Sequence, residues 1–264
     1  MSLGRSLCLL RRGMRTRLRM FCFPYAGGGA SFARNWAKHL PADVEVIGVQ
    51  YPGRDSRHSE PFLKSPQAIA NDVLSDISKH CDLPTVFVGY SLGGLVAYET
   101  VVRQLVHGLQ LPTRLVVAAS RAPHLARTIP AWAGLPHAEF IDKLREIGGT
   151  PESVLQDPQM MGLFLPILRA DFACAENYSP TWLSPLPCPI MSFHGVGDSA
   201  IDESAAAAWS LHTTRGFTFH KIDGGHFFIQ EQLEAVMGAI VQACFSQGNA
   251  TLAGPARAAA DLDP

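Results

Sequence analysis

The chain has no run approaching the ~18 consecutive apolar residues of a membrane-spanning helix, so no membrane anchor is expected within it. Its six cysteines, Cys8, Cys22, Cys81, Cys174, Cys188 and Cys244, include no C-x-x-C pair. Such wide spacing offers neither a disulfide framework nor paired metal ligands, and it reads as reduced thiols in a cytoplasmic protein without a metal. An excess of charge is also missing. The net charge is −1, and nothing draws the protein generally to nucleic acid. The run Gly27-Gly28-Gly29 lacks both the Lys-Ser/Thr of a P-loop and the G-x-G-x-x-G spacing of a dinucleotide site.

What is present is apolar mass in a regular rhythm. Apolar residues make up 47% of 264, enough for one large α/β domain with an inserted cap. Short apolar runs at Met20–Phe23, Val44–Val49, Thr85–Val88, Leu115–Ala119, Ile190–His194 and Phe217–Ile222 read as strands. Between them lie helical patterns at Phe32–Leu40, Pro66–His80, Leu92–His107, Glu203–Leu211 and Phe227–Phe245. Ser65-Pro66 supplies a capping hydroxyl and a first-turn proline, and Gly108 supplies a stop. Strands alternating with helices predict an α/β fold with a mostly parallel, doubly wound sheet. Sites in such sheets gather beyond the carboxyl ends of the strands.

Residues 122–185 break the rhythm. They show helical segments at His137–Ile147 and from Met160 to Asn177 but no strand, which predicts a helical lid inserted over the strand ends. The core is then 20–121 with 186–246, and the tail 247–264, rich in Ala, Gly and Pro, is expected to be disordered. The first 20 residues carry six arginines and no acid, against 16 basic and 23 acidic side chains in the remainder, a net charge of −7 there. The leader's apolar patch Leu7–Leu10 is too short for a secretory segment, and its Arg-rich composition is also that of a transit peptide. With Met14 and Met20 as alternative starts, residues 1–19 are expected to be an unstructured basic leader.

The chemistry concentrates where Thr85-Val86-Phe87-Val88 runs into Gly89-Tyr90-Ser91-Leu92-Gly93 and then a helical pattern. A strand, a sharp elbow and a helix hold the middle serine in a strained conformation, with its hydroxyl lifted above the sheet at the positive end of a helix. The residues two before and two after must be very small. A serine needs a base, and the base an orienting carboxylate, in the chain order Ser, acid, His. Gly224-Gly225-His226 follows the last strand pattern and makes His226 the base. Asp198, in the turn after Ile190–His194, is the acid; Asp202 suits a helix start better, and Asp223 is too near His226 in sequence. Oxyanion donors should be the backbone amide of Leu92 and one from the loop after the first strand, where Tyr25 or Ala26 can supply it.

Together these residues resemble the α/β-hydrolase fold. More narrowly they resemble type II thioesterases, the discrete editing enzymes of polyketide and nonribosomal peptide assembly lines. The resemblance spans residues 20–245. It rests on Phe23-Pro24-Tyr25-Ala26-Gly27-Gly28, Gln50-Tyr51-Pro52-Gly53-Arg54, Gly89-Tyr90-Ser91-Leu92-Gly93-Gly94, Gly195-Val196-Gly197-Asp198 and Gly224-Gly225-His226-Phe227-Phe228. It also includes lid words that a generic esterase has no reason to share: Gly148-Gly149-Thr150-Pro151, Leu168-Arg169-Ala170-Asp171-Phe172 and Tyr178. The family usually has Leu where Tyr51 stands, and the basic leader is not part of its pattern.

The resemblance implies hydrolysis of an acyl thioester held on the phosphopantetheine arm of an acyl or peptidyl carrier protein, with no cofactor of the enzyme's own. It implies catalysis by Ser91, His226 and Asp198, with the amides of Ala26 and Leu92 as the oxyanion hole. Tyr25, Met160, Met161, Phe164 and Phe227 are the candidates for acyl contacts, methionine being flexible and polarizable. Arg54, Arg57, Arg121 and Arg127 are the candidates for a carrier-docking patch. A cytoplasmic monomer acting on small acyl substrates is expected. The alternatives are a carboxylesterase or lipase on oxygen esters, an acyltransferase, and a non-catalytic binding protein that uses the pocket as a receptor.

Overall fold

Each apolar run becomes a strand of one sheet. In the computed structural model, which describes residues 3–127 and 130–245, the strands are β1 (Leu7–Arg11), β2 (Leu18–Phe23), β3 (Val44–Val49), β4 (Thr85–Tyr90), β5 (Arg114–Ala118), β6 (Ile190–Gly195) and β7 (Phe217–Ile222). Their spatial order is β1-β3-β2-β4-β5-β6-β7, and every neighbouring pair is parallel except β1 with β3. All of β4 is buried, as its unbroken apolar run requires of a parallel strand covered on both faces.

The helices are α1 (Pro66–Ser78), α2 (Leu92–Val106), α3 (His137–Ile147), α4 (Glu152–Leu155), α5 (Pro158–Glu176), α6 (Glu203–Ala207) and α7 (Leu233–Phe245). On one face of the sheet, Ile69, Val73, Tyr98 and Val101 from α1 and α2 pack on Phe21, Phe87 and Leu115. On the other, Trp36 and α7 residues Val236, Met237 and Ile240 pack on Met20, Val86 and Val88. Ser65 caps α1 by accepting from the Ala68 amide at 3.2 Å, with Pro66 in the first turn. The predicted helix at Phe32–Leu40 is a 3₁₀ helix, Ala30–His39, and the last predicted helix begins with a separate 3₁₀ turn, Phe228–Gln230. An apolar pattern identifies the buried face of such a segment but hardly separates the two pitches.

The leader is where the structure corrects the sequence reading. Residues 7–11 are not disordered: they form edge strand β1, antiparallel to β3, with Leu7 opposite Val49 and Cys8 opposite Gly48. Four of the six leader arginines find a counterpart on the body. Arg11 donates to the carbonyls of Pro41 at 2.6 Å and Val44 at 2.7 Å, and also to that of Ala37. Arg5 meets Asp72 at 3.0 Å, Arg17 meets Asp43 at 2.6 Å, and Arg19 meets Glu45 at 2.8 Å. The acid-free segment is complementary to a body with an acidic excess. The tail assigned to disorder lies outside the described residues.

Between β5 and β6 the described residues hold helices α3, α4 and α5 and no named strand, as a lid requires. These helices and the loop before them share a small core of their own, built from Trp132, Phe140, Ile141, Leu144, Leu155, Met161 and Leu168. Asp157 caps α5 by accepting from the amides of Gln159 and Met160, at 2.8 and 3.1 Å.

Candidate active site

Ser91 stands between the last residue of β4 and the first of α2, at φ 53° and ψ −117°. A non-glycine residue held at positive φ is strained and needs its surroundings to enforce it. Here the Ser91 amide is tied to the Ala118 carbonyl at 2.8 Å. The two flanking glycines are required by contact. A Cβ on Gly89 would lie 2.2 Å from the Gly93 carbonyl oxygen, and one on Gly93 would lie 2.1 Å from that of Phe23. The elbow forms only because residues 89 and 93 have no side chain.

His226 comes from the loop after β7 and Asp198 from the turn after β6. His226 Nε2 lies 3.0 Å from Ser91 Oγ, and His226 Nδ1 lies 2.8 Å from Asp198 Oδ2. A carboxylate can only accept, so Nδ1 carries the proton and Nε2 is left to accept from the serine hydroxyl. The other Asp198 oxygen accepts from the amides of Ala200 at 2.8 Å and Ile201 at 3.1 Å, which fixes the carboxylate. Asp202 caps α6 instead, accepting from the Ala205 amide at 2.7 Å. A contribution that the sequence reading missed is Tyr90, whose buried hydroxyl donates to the His226 carbonyl and anchors the histidine loop. Burial pushes that hydroxyl's pKa well above the usual phenol range, keeping it a donor. Its signal was an aromatic residue immediately before the elbow serine.

Ser91 and His226 open into a cavity of about 240 Å³ between the sheet and the lid. That exceeds the ~150 Å³ that holds a benzene-sized ligand. Tyr25, Ala26, Leu92 and Phe227 line it, as expected. Met160, Met161 and Phe164 do not, and this corrects the predicted acyl channel. Met161 is buried inside the lid's own core, Phe164 packs against that core, and Met160 is exposed. The reason is axial. The 19 residues of α5 extend about 28 Å, and it is residues nearer the C-terminal end, Leu168 and Phe172, that reach the cavity. Trp132, Leu144 and Ile147 complete its apolar lid wall.

The docking patch is corrected as well. Arg54 is buried against Asp171, and Arg57 is buried between Glu60 and Asp72, so neither offers charge to a partner. Arg121 and Arg127 lie in the cavity wall, where Arg121 donates to the carbonyls of Leu125 and Ala175 and Arg127 meets Glu176 at 3.1 Å. Among the described residues no group of three or more His, Cys, Asp or Glu is placed to hold a metal ion, and no helix is long and apolar enough to cross a membrane.

A serine on a strained strand–helix turn, followed in chain order by a carboxylate and a histidine at the ends of later parallel strands, defines an α/β-hydrolase. The thioesterase-domain family model matches residues 18–244, and the chain belongs to that family. It is 37% identical over 215 residues to the gramicidin S biosynthesis protein GrsT of Aneurinibacillus migulanus, covering 81% of this chain and 84% of that one. It is 35% identical over 225 residues to the thioesterase PikA5 of Streptomyces venezuelae, covering 84% and 79%. Among solved structures it superposes on the type II thioesterase BorB from the borrelidin biosynthetic cluster with a TM-score of 0.82 and 32% identity, over 90% of this chain and 96% of that one. The protein is a thioesterase of the type II kind found with polyketide and nonribosomal peptide pathways.

Proposed function

We propose that the protein clears acyl groups from the phosphopantetheine arm of carrier proteins, with Ser91 as nucleophile. The observation that carries this reading is the 3.0 Å contact from His226 Nε2 to Ser91 Oγ at the mouth of an apolar cavity roofed by the lid. The Ser91 proton passes to Nε2 as Oγ adds to the thioester carbonyl carbon, and Asp198 steadies the imidazolium. The carbonyl oxygen takes the negative charge and is held by backbone amides. Leu92 supplies one, at the N-terminus of α2. The amides of Gly27 and Gly28 are already bound to Asp171, at 2.8 Å, and to the Tyr25 carbonyl, at 2.9 Å, which leaves Tyr25 and Ala26, and we assign the second donor to Ala26. Collapse expels the pantetheine thiolate, which takes the proton from Nε2. Water then gives a proton to Nε2 and attacks the acyl-serine, releasing the carboxylic acid and restoring the serine hydroxyl.

The chemistry calls for no metal and no cofactor of the enzyme's own. Its partners are acyl or peptidyl carrier proteins, and its place is the cytoplasm, where such assembly lines work. Similarity to a gramicidin S biosynthesis protein, a thioesterase and a type II thioesterase of a biosynthetic cluster supports work beside such an assembly line, and the role assigned here is editing, the release of wrong or stalled acyl units. The test compares an acyl-carrier thioester with a p-nitrophenyl ester of equal chain length. A higher kcat/KM on the thioester, abolished in Ser91→Ala, is expected. Preference for the oxygen ester would move the protein to the carboxylesterases, and a Ser91→Ala variant of near-normal rate would overturn the mechanism.

A further inference from the structure

We propose that Asp171, on the lid helix α5, is a positioning residue for the oxyanion loop, so that the site is complete only with α5 seated. The inference rests on the thioester hydrolysis at Ser91 proposed above. Asp171 is 2% exposed and hydrogen-bonds to Gly27 and Arg54, not to Ser91, His226 or Asp198. Its Oδ2 accepts from the Gly27 amide at 2.8 Å and from Arg54 Nη1, while its Oδ1 accepts from Arg54 Nη2 at 2.8 Å. Arg54 Nη1 also donates to the Gly28 carbonyl at 3.3 Å. The guanidinium lies 5.5 Å from the Tyr51 ring centre, and the Tyr51 hydroxyl donates to the Pro24 carbonyl at 3.3 Å. The backbone on both sides of Ala26 is thereby tied to one buried ion pair. One turn earlier on α5, Leu168 fills the space beside Gly27, where a Cβ would lie 2.5 Å from Leu168 Cδ2.

Stability alone does not account for this arrangement. A buried ion pair is commonly no more stabilising than an apolar pair of the same volume. What an apolar pair cannot do is accept the Gly27 N–H and hold the Gly28 carbonyl. Fixing the peptide between Ala26 and Gly27 fixes the backbone that aims the Ala26 amide. Such preorganisation of a donor is worth about 10²–10³ in rate.

The experiment compares wild type, Asp171→Asn and the apolar double variant Arg54→Met/Asp171→Leu. Four quantities are read: thermal midpoint, kcat on acyl-pantetheine, affinity for an unreactive thioether analogue, and affinity for a trifluoromethyl ketone analogue. Ser91 adds to the ketone, whose oxygen then occupies the oxyanion site. In Asp171→Asn, kcat and ketone affinity are expected to fall together by about 10²-fold, with thioether affinity within about threefold of wild type. The double variant is expected to recover the thermal midpoint and not the rate. A merely structural role would move both analogues together or restore kcat along with the midpoint. The proposal is overturned if the double variant regains wild-type kcat, or if folded Asp171→Asn keeps kcat within about threefold of wild type. Should Asp171→Asn fail to fold, the double variant carries the test. A wild type inert toward acyl-pantetheine would instead overturn the reading of Ser91 itself.

Discussion

Replacing Gly93 with alanine separates the geometry of the site from its inventory of side chains. The added methyl would lie 2.1 Å from the Phe23 carbonyl oxygen and 2.8 Å from that of Pro24. Both are backbone atoms, one at the end of β2 and the other in the loop that carries Ala26. Real Cβ contacts essentially never fall under 3.0 Å, so the elbow and the loop must part by roughly 1 Å. A displacement of that size costs about 10²-fold in rate, and full loss of an oxyanion donor costs about 10²–10³-fold. Gly93→Ala should therefore lose about 10²–10³ in kcat while retaining Ser91, His226 and Asp198. Overpacking of this kind destabilises by about 1–3 kcal/mol, a fall of roughly 2–10 °C in thermal midpoint for a domain of this size. The assay is release of pantetheine thiol well below that midpoint, normalised to active sites titrated with a fluorophosphonate. Gly238→Ala is the control. It sits inside α7 with nothing within 4 Å of the added methyl, so it should gain about 0.5–1 kcal/mol and keep the wild-type rate. A Gly93→Ala enzyme within about threefold of wild-type kcat would refute the claim that this close approach sets the oxyanion geometry.

Removal of the hydroxyl in Ser91→Ala should lower turnover by up to ~10⁶-fold and abolish fluorophosphonate labelling. Asp198→Asn, which disturbs the tautomer that aims Nε2, should lose roughly 10⁴-fold in kcat; near-normal activity in either variant would remove that residue from the mechanism. Ile147→Trp, which fills part of the cavity's lid wall, should reduce kcat/KM for long acyl chains by at least ~10-fold relative to acetyl, whereas Met160→Ala on the exposed face of α5 should leave the chain-length profile unchanged. Burial, and then the neighbouring His124 at 2.7 Å, lower the His212 pKa from 6.5 to about 4. The unfolded chain thus binds its proton first, so the stability owed to neutral His212 is present above pH ~6.5 and is lost as pH falls toward about 4, by up to about 3 kcal/mol. Urea midpoints of His212→Gln should be flatter than wild type across that window, and an unchanged pH slope would refute the assignment.

The parts of the molecule legible in the sequence are those where chemistry is local. Gly89 to Gly93 can do little else with a strand before them and a helix after, and the turns holding Asp198 and His226 follow directly from strands whose apolar runs are unbroken. What was not legible depends on where segments distant in sequence meet. The arginines of the leader look like a disordered composition until the carbonyls of Ala37, Pro41 and Val44 are placed around Arg11. Met160, Met161 and Phe164 stood among the candidates for acyl contacts as apolar lid residues, methionine being flexible and polarizable. Residue type, however, says nothing about how far along a 19-residue helix the cavity lies.

The lid motif at residues 168–172 shows the same division within one turn of helix. Its spacing is helical, and an aspartate among apolar neighbours reads in isolation as a surface residue. In the fold it is the reverse. Leu168 fills the space beside Gly27, Phe172 walls the cavity, and Asp171 between them binds the Gly27 amide and Arg54. A buried carboxylate is tolerable only with such partners. Those partners are the backbone of the loop that bears Ala26 and an arginine from the segment after β3. Substitutions at 171 and 54 should therefore be non-additive in kcat by more than about 0.5 kcal/mol, as for any two groups in one network, whereas Asp171 combined with the solvent-facing Met160 should be additive within about that amount.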